Sequence, residues 1–233
     1  MNNNLSYETY LFVSSKKIII SVYTDLDDKV YQEELVFEKS YKELNFEKLD
    51  YFLNKNIFKI EKKLKDFIKK ISLVLDLDIF FPIEISVKKN NYENPISLQV
   101  LNHLLYETKD YCKKTLENKK IIHMFITDYQ VDNKSYSYFP KDVKCSSFSL
   151  NIKFYCISNI LIKNFENIFK KYQISLNKVV NAKYLQEYLS DKEKDIFLNA
   201  KKIINGHNPN EVTLVEKIRK NHGFFEKFFN FFN

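Results

Sequence analysis

The chain has 233 residues, 45% of them apolar and 29% charged, with a net charge of +7. That length and composition suit a globular protein with a real core and exclude a disordered tail protein. No run approaches the roughly 20 apolar residues that span a bilayer, and the opening MNNNLSYETY has neither the basic start nor the apolar core of an export signal, so a cytoplasmic protein is expected.

Three counts narrow the chemistry. Cysteines occur at Cys112, Cys145 and Cys156, without a C-x-x-C spacing, and read as buried reduced thiols. Lysine carries nearly all the positive charge, with arginine only at Arg219. Nucleic-acid binders concentrate arginine or interleave basic and aromatic residues on one face; here the lysine cluster of residues 59–70 reads as the solvated side of a helix. The only glycines are Gly206 and Gly223. Loops that cradle phosphate need glycine to bring backbone N–H groups close, so no loop-type nucleotide site is expected.

Residues 7–14, 17–23 and 31–37 alternate like strands. Asp25, Asp27 and Asp28 lie between the second and third and read as a turn rather than a metal cluster. Residues 57–75 form a helix, with Ile57, Ile60, Leu64, Phe67, Ile68, Ile71 and Val74 on one stripe. Residues 79–87 form a strand interrupted by Pro82, which places it near an edge or makes it start after the proline. Asp76 and Asp78 suggest paired acids only weakly. Residues 90–94 are a polar link, and a helix from 95 to about 114 buries Leu98, Leu101, Leu105 and Cys112. The stretch 121–197 then reads as an apolar strand, a short second strand ending at Pro140, a strand over 148–158, a helix, a strand over 174–180 and a closing helix. Gly206 and Pro209 interrupt regular structure after that helix.

This stretch resembles the inserted subdomain 1C of the bacterial cell-division protein family FtsA. His123, Asp128, Tyr129 and Asp132 stand at family positions, with Ile126 in place of a proline and Asn133 in place of a glycine. Pro140, the strand from 150 to 157, Ser158-Asn159, Leu189-Ser190 and Glu193-Lys194-Asp195 continue the match, with Lys141 replacing a second glycine. The resemblance implies an α+β fold, a partial actin-like (ribonuclease H-like) subdomain carrying the inserted 1C. Residues 1–89 would be part of subdomain 1A, 90–182 the 1C-like unit, 183–204 a helical return to 1A, 205–220 a linker and 221–233 an amphipathic helix. The family's first phosphate loop would fall on residues 12–18, where Phe12 takes the aspartate position and Ser14 the glycine position. The resemblance therefore implies that the ATP site is lost, with no cofactor and no enzymatic role. His123 would be a structural strand residue. The family's second phosphate strand and later subdomains do not follow Phe197.

The tail GFFEKFFNFFN places Phe224, Phe225, Phe228, Phe229, Phe231 and Phe232 on an arc of roughly 160° if helical. Glu226, Lys227, Asn230 and Asn233 fall opposite. A fully buried phenylalanine contributes about 1.5–3 kcal/mol, so six half-buried rings can order a short helix on a lipid surface. Lys217, Arg219, Lys220 and Lys227 would add attraction to an anionic leaflet. The alternative is that the tail docks on the protein's own body or on a partner. FtsA proteins end in such a membrane helix. The resemblance thus implies a membrane-tethered adaptor of cell division at the cytoplasmic face of the membrane, at the division site. Its partners would be anionic lipid and other division proteins through the 1C-like unit. Binding to the tubulin-like FtsZ is doubtful, because the later subdomain that makes it is absent. No nucleic-acid partner is expected. A PilM-type pilus-assembly adaptor and a basic nucleic-acid module remain alternatives.

Overall fold

The computed structural model describes residues 6–39, 44–188 and 195–212. Two sheets organise them. The chain opens with an antiparallel meander, β1 (Tyr7–Ser14), β2 (Lys17–Thr24) and β3 (Lys29–Val36). The acidic segment after β2 is a turn: Asp27 adopts φ 68° and the Asp27 N–H donates to the Thr24 carbonyl. Its carboxylate meets Lys201 at 2.6 Å.

Helix α1 (Phe46–Leu64) comes next, capped by Asn45, whose side chain accepts the Lys48 N–H at 2.9 Å. It ends at Lys65 in the left-handed region, and Glu61 turns back to accept the Ile68 N–H. Strand β4 (Lys70–Asp76) begins soon after. This corrects the helix expected over 57–75. Ile57 and Ile60 lie on the buried face of α1, but Ile71 and Val74 belong to β4, and Phe67, expected on the stripe, is 76% exposed. The reason is burial on both faces. Residues 71–75 of β4 are all buried, so the run carries no alternation, and Ile71 and Val74 continue the helical spacing by coincidence.

The second sheet is antiparallel, in the order β5-β8-β6-β7, where β5 is Phe81–Pro95, β6 Lys119–Val131, β7 Lys134–Tyr136 and β8 Lys144–Ser158. Pro82 sits on edge strand β5, as its missing N–H requires. Residues 90–94, expected as a polar link, lie within β5 where the ladder to β8 breaks register. Helix α2 (Leu98–Thr115), capped by Ser97, packs Leu101, Leu104 and Cys112 against this sheet, while Leu98 is exposed. Asp132 and Asn133 form the two-residue turn between β6 and β7 at φ 46° and 68°. Asn133 adopts the left-handed conformation that asparagine and glycine take most readily.

Helix α3 (Asn159–Lys171) and strand β9 (Ser175–Asn181) return the chain to the first sheet, whose order is β3-β2-β1-β4-β9 with β1, β4 and β9 parallel. Helices α4 (Ala182–Tyr188) and α5 (Ile196–Ile204) complete the order. Helices α1 and α3 cover one face of this sheet through Leu53, Ile57, Phe165 and Phe169. Helices α4 and α5 cover the other through Tyr184, Leu185, Phe197 and Ile203. A three-strand meander continued by two parallel strands, with helices on both faces, is the ribonuclease H-like layout within an α+β fold. All three cysteines are buried and reduced.

Candidate functional site

A wide cleft of about 1520 Å³ opens where the two sheets meet. Residues 119–124 of β6 form one side and residues 176–180 of β9 the other, with Leu105, Tyr106 and Lys109 of α2 contributing to the wall. Among the described residues both strands present an open edge. β9 is the last strand of its sheet, and among the described residues no strand pairs with the outer edge of β6 over residues 119–123. Unpaired edges carry backbone N–H and C=O groups that another extended segment can satisfy. Lys113, Lys119, Lys120 and Lys178 also line the cleft, against Glu117, Glu166 and Glu211. Burial together with the neighbouring Lys113 charge pushes the Lys109 ammonium below its ordinary pKa.

The cleft closes on His123. This side chain is only 3% exposed. Its Nε2 accepts the Asn181 N–H at 3.2 Å, joining β6 to the end of β9, and its Nδ1 lies 2.7 Å from Glu211 Oε1. A ring nitrogen that accepts carries no proton, so Nδ1 holds the proton and donates it to Glu211. Tyr184 donates to Glu211 Oε2 at 2.8 Å and receives the Asn208 side-chain amide at 2.9 Å. Burial, with the Glu211 carboxylate beside it, pushes the Tyr184 phenol well above its usual range. Phe125 completes the cluster, with ring centroids 5.8 Å from His123 and 4.5 Å from Tyr184. His123, expected to be structural, is therefore a buried joint between the two sheets.

This joint also fixes residues 208–212, which fall in the stretch expected as a linker. Ile126 N–H donates to the Asn210 carbonyl at 2.9 Å, and Val212 N–H to the Met124 carbonyl at 2.8 Å. The chain therefore reaches Val212 tied to β6 beside the cleft.

The expected phosphate loop is occupied by its own side chains. Ser14 Oγ accepts the N–H groups of Lys16 and Lys17 at 3.2 and 3.0 Å and donates to the Lys17 carbonyl at 3.1 Å. Phe12, at the aspartate position, is buried among Tyr10, Tyr23 and Val180. The N–H groups of Lys16 and Lys17 are thus already bonded. Asp76 ends β4 opposite Ser14, and Asp78 pairs with Lys183 at 3.3 Å. No cluster of metal-ligating side chains occurs among the described residues.

The residues expected to touch lipid, Lys217, Arg219, Lys220, Phe224, Phe225, Lys227, Phe228, Phe229, Phe231 and Phe232, lie outside the described residues, as do Leu189-Ser190 and Glu193-Lys194 of the family match. No described helix is long and apolar enough to cross a membrane. Sequence reasoning singled out His123 but missed the cleft. Its walls are strand edges, and nothing within a strand's own sequence states whether a neighbour pairs with it.

No protein-family model matches the chain, and no curated protein does. Among solved structures, the chain is similar to the PilM–PilN type IV pilus biogenesis complex at 8% identity and a TM-score of 0.46, over 78% of this chain and 49% of that one. It is similar to the cytoplasmic domain of EpsL, an inner membrane component of the type II secretion system of Vibrio cholerae, at 11% identity and a TM-score of 0.37, over 77% of this chain and 57% of that one. A Bacteroides thetaiotaomicron protein with an actin-like ATPase fold and unknown function is similar at 14% identity and a TM-score of 0.32, over 79% and 55%. The chain thus spans about half the length of each.

Proposed function

We propose that the protein is a non-enzymatic adaptor of the FtsA type, attached to the membrane through the amphipathic helix expected over residues 221–233, which holds a partner protein in the cleft between its two sheets. The observation that carries this reading is the cleft itself, with open edges on β6 and β9 and lysines along its rim. An extended segment of a partner can add to either edge through backbone hydrogen bonds, and the rim favours one with acidic side chains. The self-bonded Ser14 turn and the buried Phe12 support a scaffold that does not depend on phosphate chemistry. Val212, the last described residue, is bonded to Met124 on the wall of the same cleft, so the partner and the lipid-binding tail would be joined through one short segment. The same geometry serves a pilus-assembly or secretion adaptor, a reading that assigns the protein to a different membrane machine with the same mechanics.

The test is to pan a displayed peptide library on the intact protein and map each recovered peptide by amide hydrogen exchange. Acidic extended peptides that protect residues 119–123 or 176–180, and that bind at least tenfold more weakly to a Lys120→Glu, Lys178→Glu variant, are expected. Peptides that ignore the double variant and protect other strands would remove the cleft from the account.

A further inference from the structure

We propose that the outer face of α1 and α3 is a second membrane-contact surface, which lies flat on anionic lipid independently of the C-terminal tail. It extends the membrane reading but stands on different residues. The exposed side of α1 recurs at helical spacing as Tyr51, Lys55, Phe58, Lys59 and Lys62. All five fall within one stripe of the helix, opposite the face that buries Leu49, Phe52, Leu53 and Ile57. The exposed side of α3 carries Ile160, Lys163 and Lys170. The two helices lie side by side on the same face of the first sheet. Phe46 meets Phe165 at 5.3 Å, and Lys171 meets Asp50 at 2.6 Å.

The charge of this layer is one-sided. Residues 44–70 hold eight lysines and four carboxylates, and α3 holds three lysines and one carboxylate. Two of the α1 carboxylates are committed elsewhere, Asp50 to Lys171 and Tyr172, and Glu61 to the Ile68 N–H. Lys55, Lys59, Lys62, Lys163 and Lys170 have no ion-pair partner among the described residues. A solvated helix face accounts for the lysines but not for the apolar residues among them. Phe58 is 73%, Ile160 70% and Tyr51 64% exposed. Large apolar side chains between flexible ammonium groups match the interface of a bilayer, where rings enter the headgroup layer and lysines meet lipid phosphates. Nucleic-acid recognition favours the planar fork of arginine, and the described residues contain none.

The test uses the full chain and three variants: Lys55→Glu, Lys59→Glu, Lys62→Glu on α1; Lys163→Glu, Lys170→Glu on α3; and Phe228→Asp, Phe229→Asp in the tail. Each is titrated with equimolar phosphatidylglycerol–phosphatidylcholine vesicles, with pure phosphatidylcholine vesicles and with a fluorescent single-stranded DNA, after its melting temperature is matched to the parent. The triple α1 variant should bind anionic vesicles roughly a hundredfold more weakly, and the α3 variant at least several-fold more weakly, with binding to neutral vesicles unchanged in both. The tail variant should keep a salt-sensitive affinity for anionic vesicles, and that remaining affinity should vanish when the α1 and tail changes are combined. If the tail variant loses all vesicle binding, or the lysine variants bind as the parent does, the surface is not a membrane contact and the tail reading survives alone. If the tail variant binds normally while the lysine variants do not, the tail reading fails and this surface stands. Loss of DNA binding with unchanged vesicle binding would make the face a nucleic-acid surface and overturn the proposal.

Discussion

The two sheets differ in how many of their faces are covered. Helices pack on both sides of the first, so β1, β2 and β4 are buried nearly throughout. The second is covered on one side by α2, and on the other side, away from the joint at Phe125 and Tyr155, it is largely exposed among the described residues. There Asp128 accepts from Gln130, Asn151 and Ser135, and Ser86 donates to Asn151. The first sheet therefore draws its stability from packing around a central parallel strand. The second draws more on cross-strand alternation and polar ladders. What joins them is the buried polar cluster around His123 together with Phe125, Tyr155 and Ile157, which the second sheet buries in the core of the first.

The largest test of this contrast is Phe165→Ala. The ring is fully buried between α1, α3 and the first sheet, and its loss should cost about 3–5 kcal/mol in urea unfolding. Ser86→Ala on the open face of the second sheet should stay within about 0.5 kcal/mol. Equal costs at the two sites would erase the distinction between the sheets.

His123→Ala probes the joint. It strands the buried Asn181 N–H and the Glu211 carboxylate, and should cost about 3 kcal/mol. The more telling readout is local: amide protons of Ile126 and Val212 should exchange faster than those in the middle of β8, because the 208–212 segment loses its anchor. Uniform acceleration across the protein would instead mean that His123 serves global packing only.

A smaller effect than at His123 is expected at Asp195, on the α4–α5 side of the first sheet. Burial raises its carboxyl pKa, but donors outweigh that. Tyr23 donates at 2.6 Å, Lys29 lies 2.9 Å away and the Phe197 N–H donates to the carboxylate at 2.9 Å where it caps α5, so the net shift is downward. A depressed carboxyl pKa contributes stability above the unfolded value of about 3.9, and that contribution fades as pH falls through the folded value. Asp195→Asn should therefore destabilise by about 1–2 kcal/mol at neutral pH, and the gap to the parent should narrow below about pH 4. Burial and the Asp195 hydrogen bond push the Tyr23 phenol up to about 12. An Asp195→Asn gap that held constant from neutral to acid pH would show that the cap matters for shape and not for charge.

Much of the second sheet was legible without coordinates. Residues 148–158 alternate, and β8 buries every second residue along most of its length, because only one face meets the core. The same logic located the opening meander, α2 and α3, and Pro82 marked an edge. The run from Lys70 to Asp76 was illegible for the opposite reason: a strand buried on both faces has no period, and its neighbours in sequence happened to continue a helical stripe.

Amphipathic period and turn residues are local properties, and the chain's sequence alone determined the elements they mark. The cleft, the His123 joint and the shared lysine face were decided only when the chain folded. His123 meets partners 58 and 88 residues away, and Asp50 meets Lys171 across 121. No local pattern encodes such pairs, because the free energy that selects them comes from closing two sheets and packing two helices side by side.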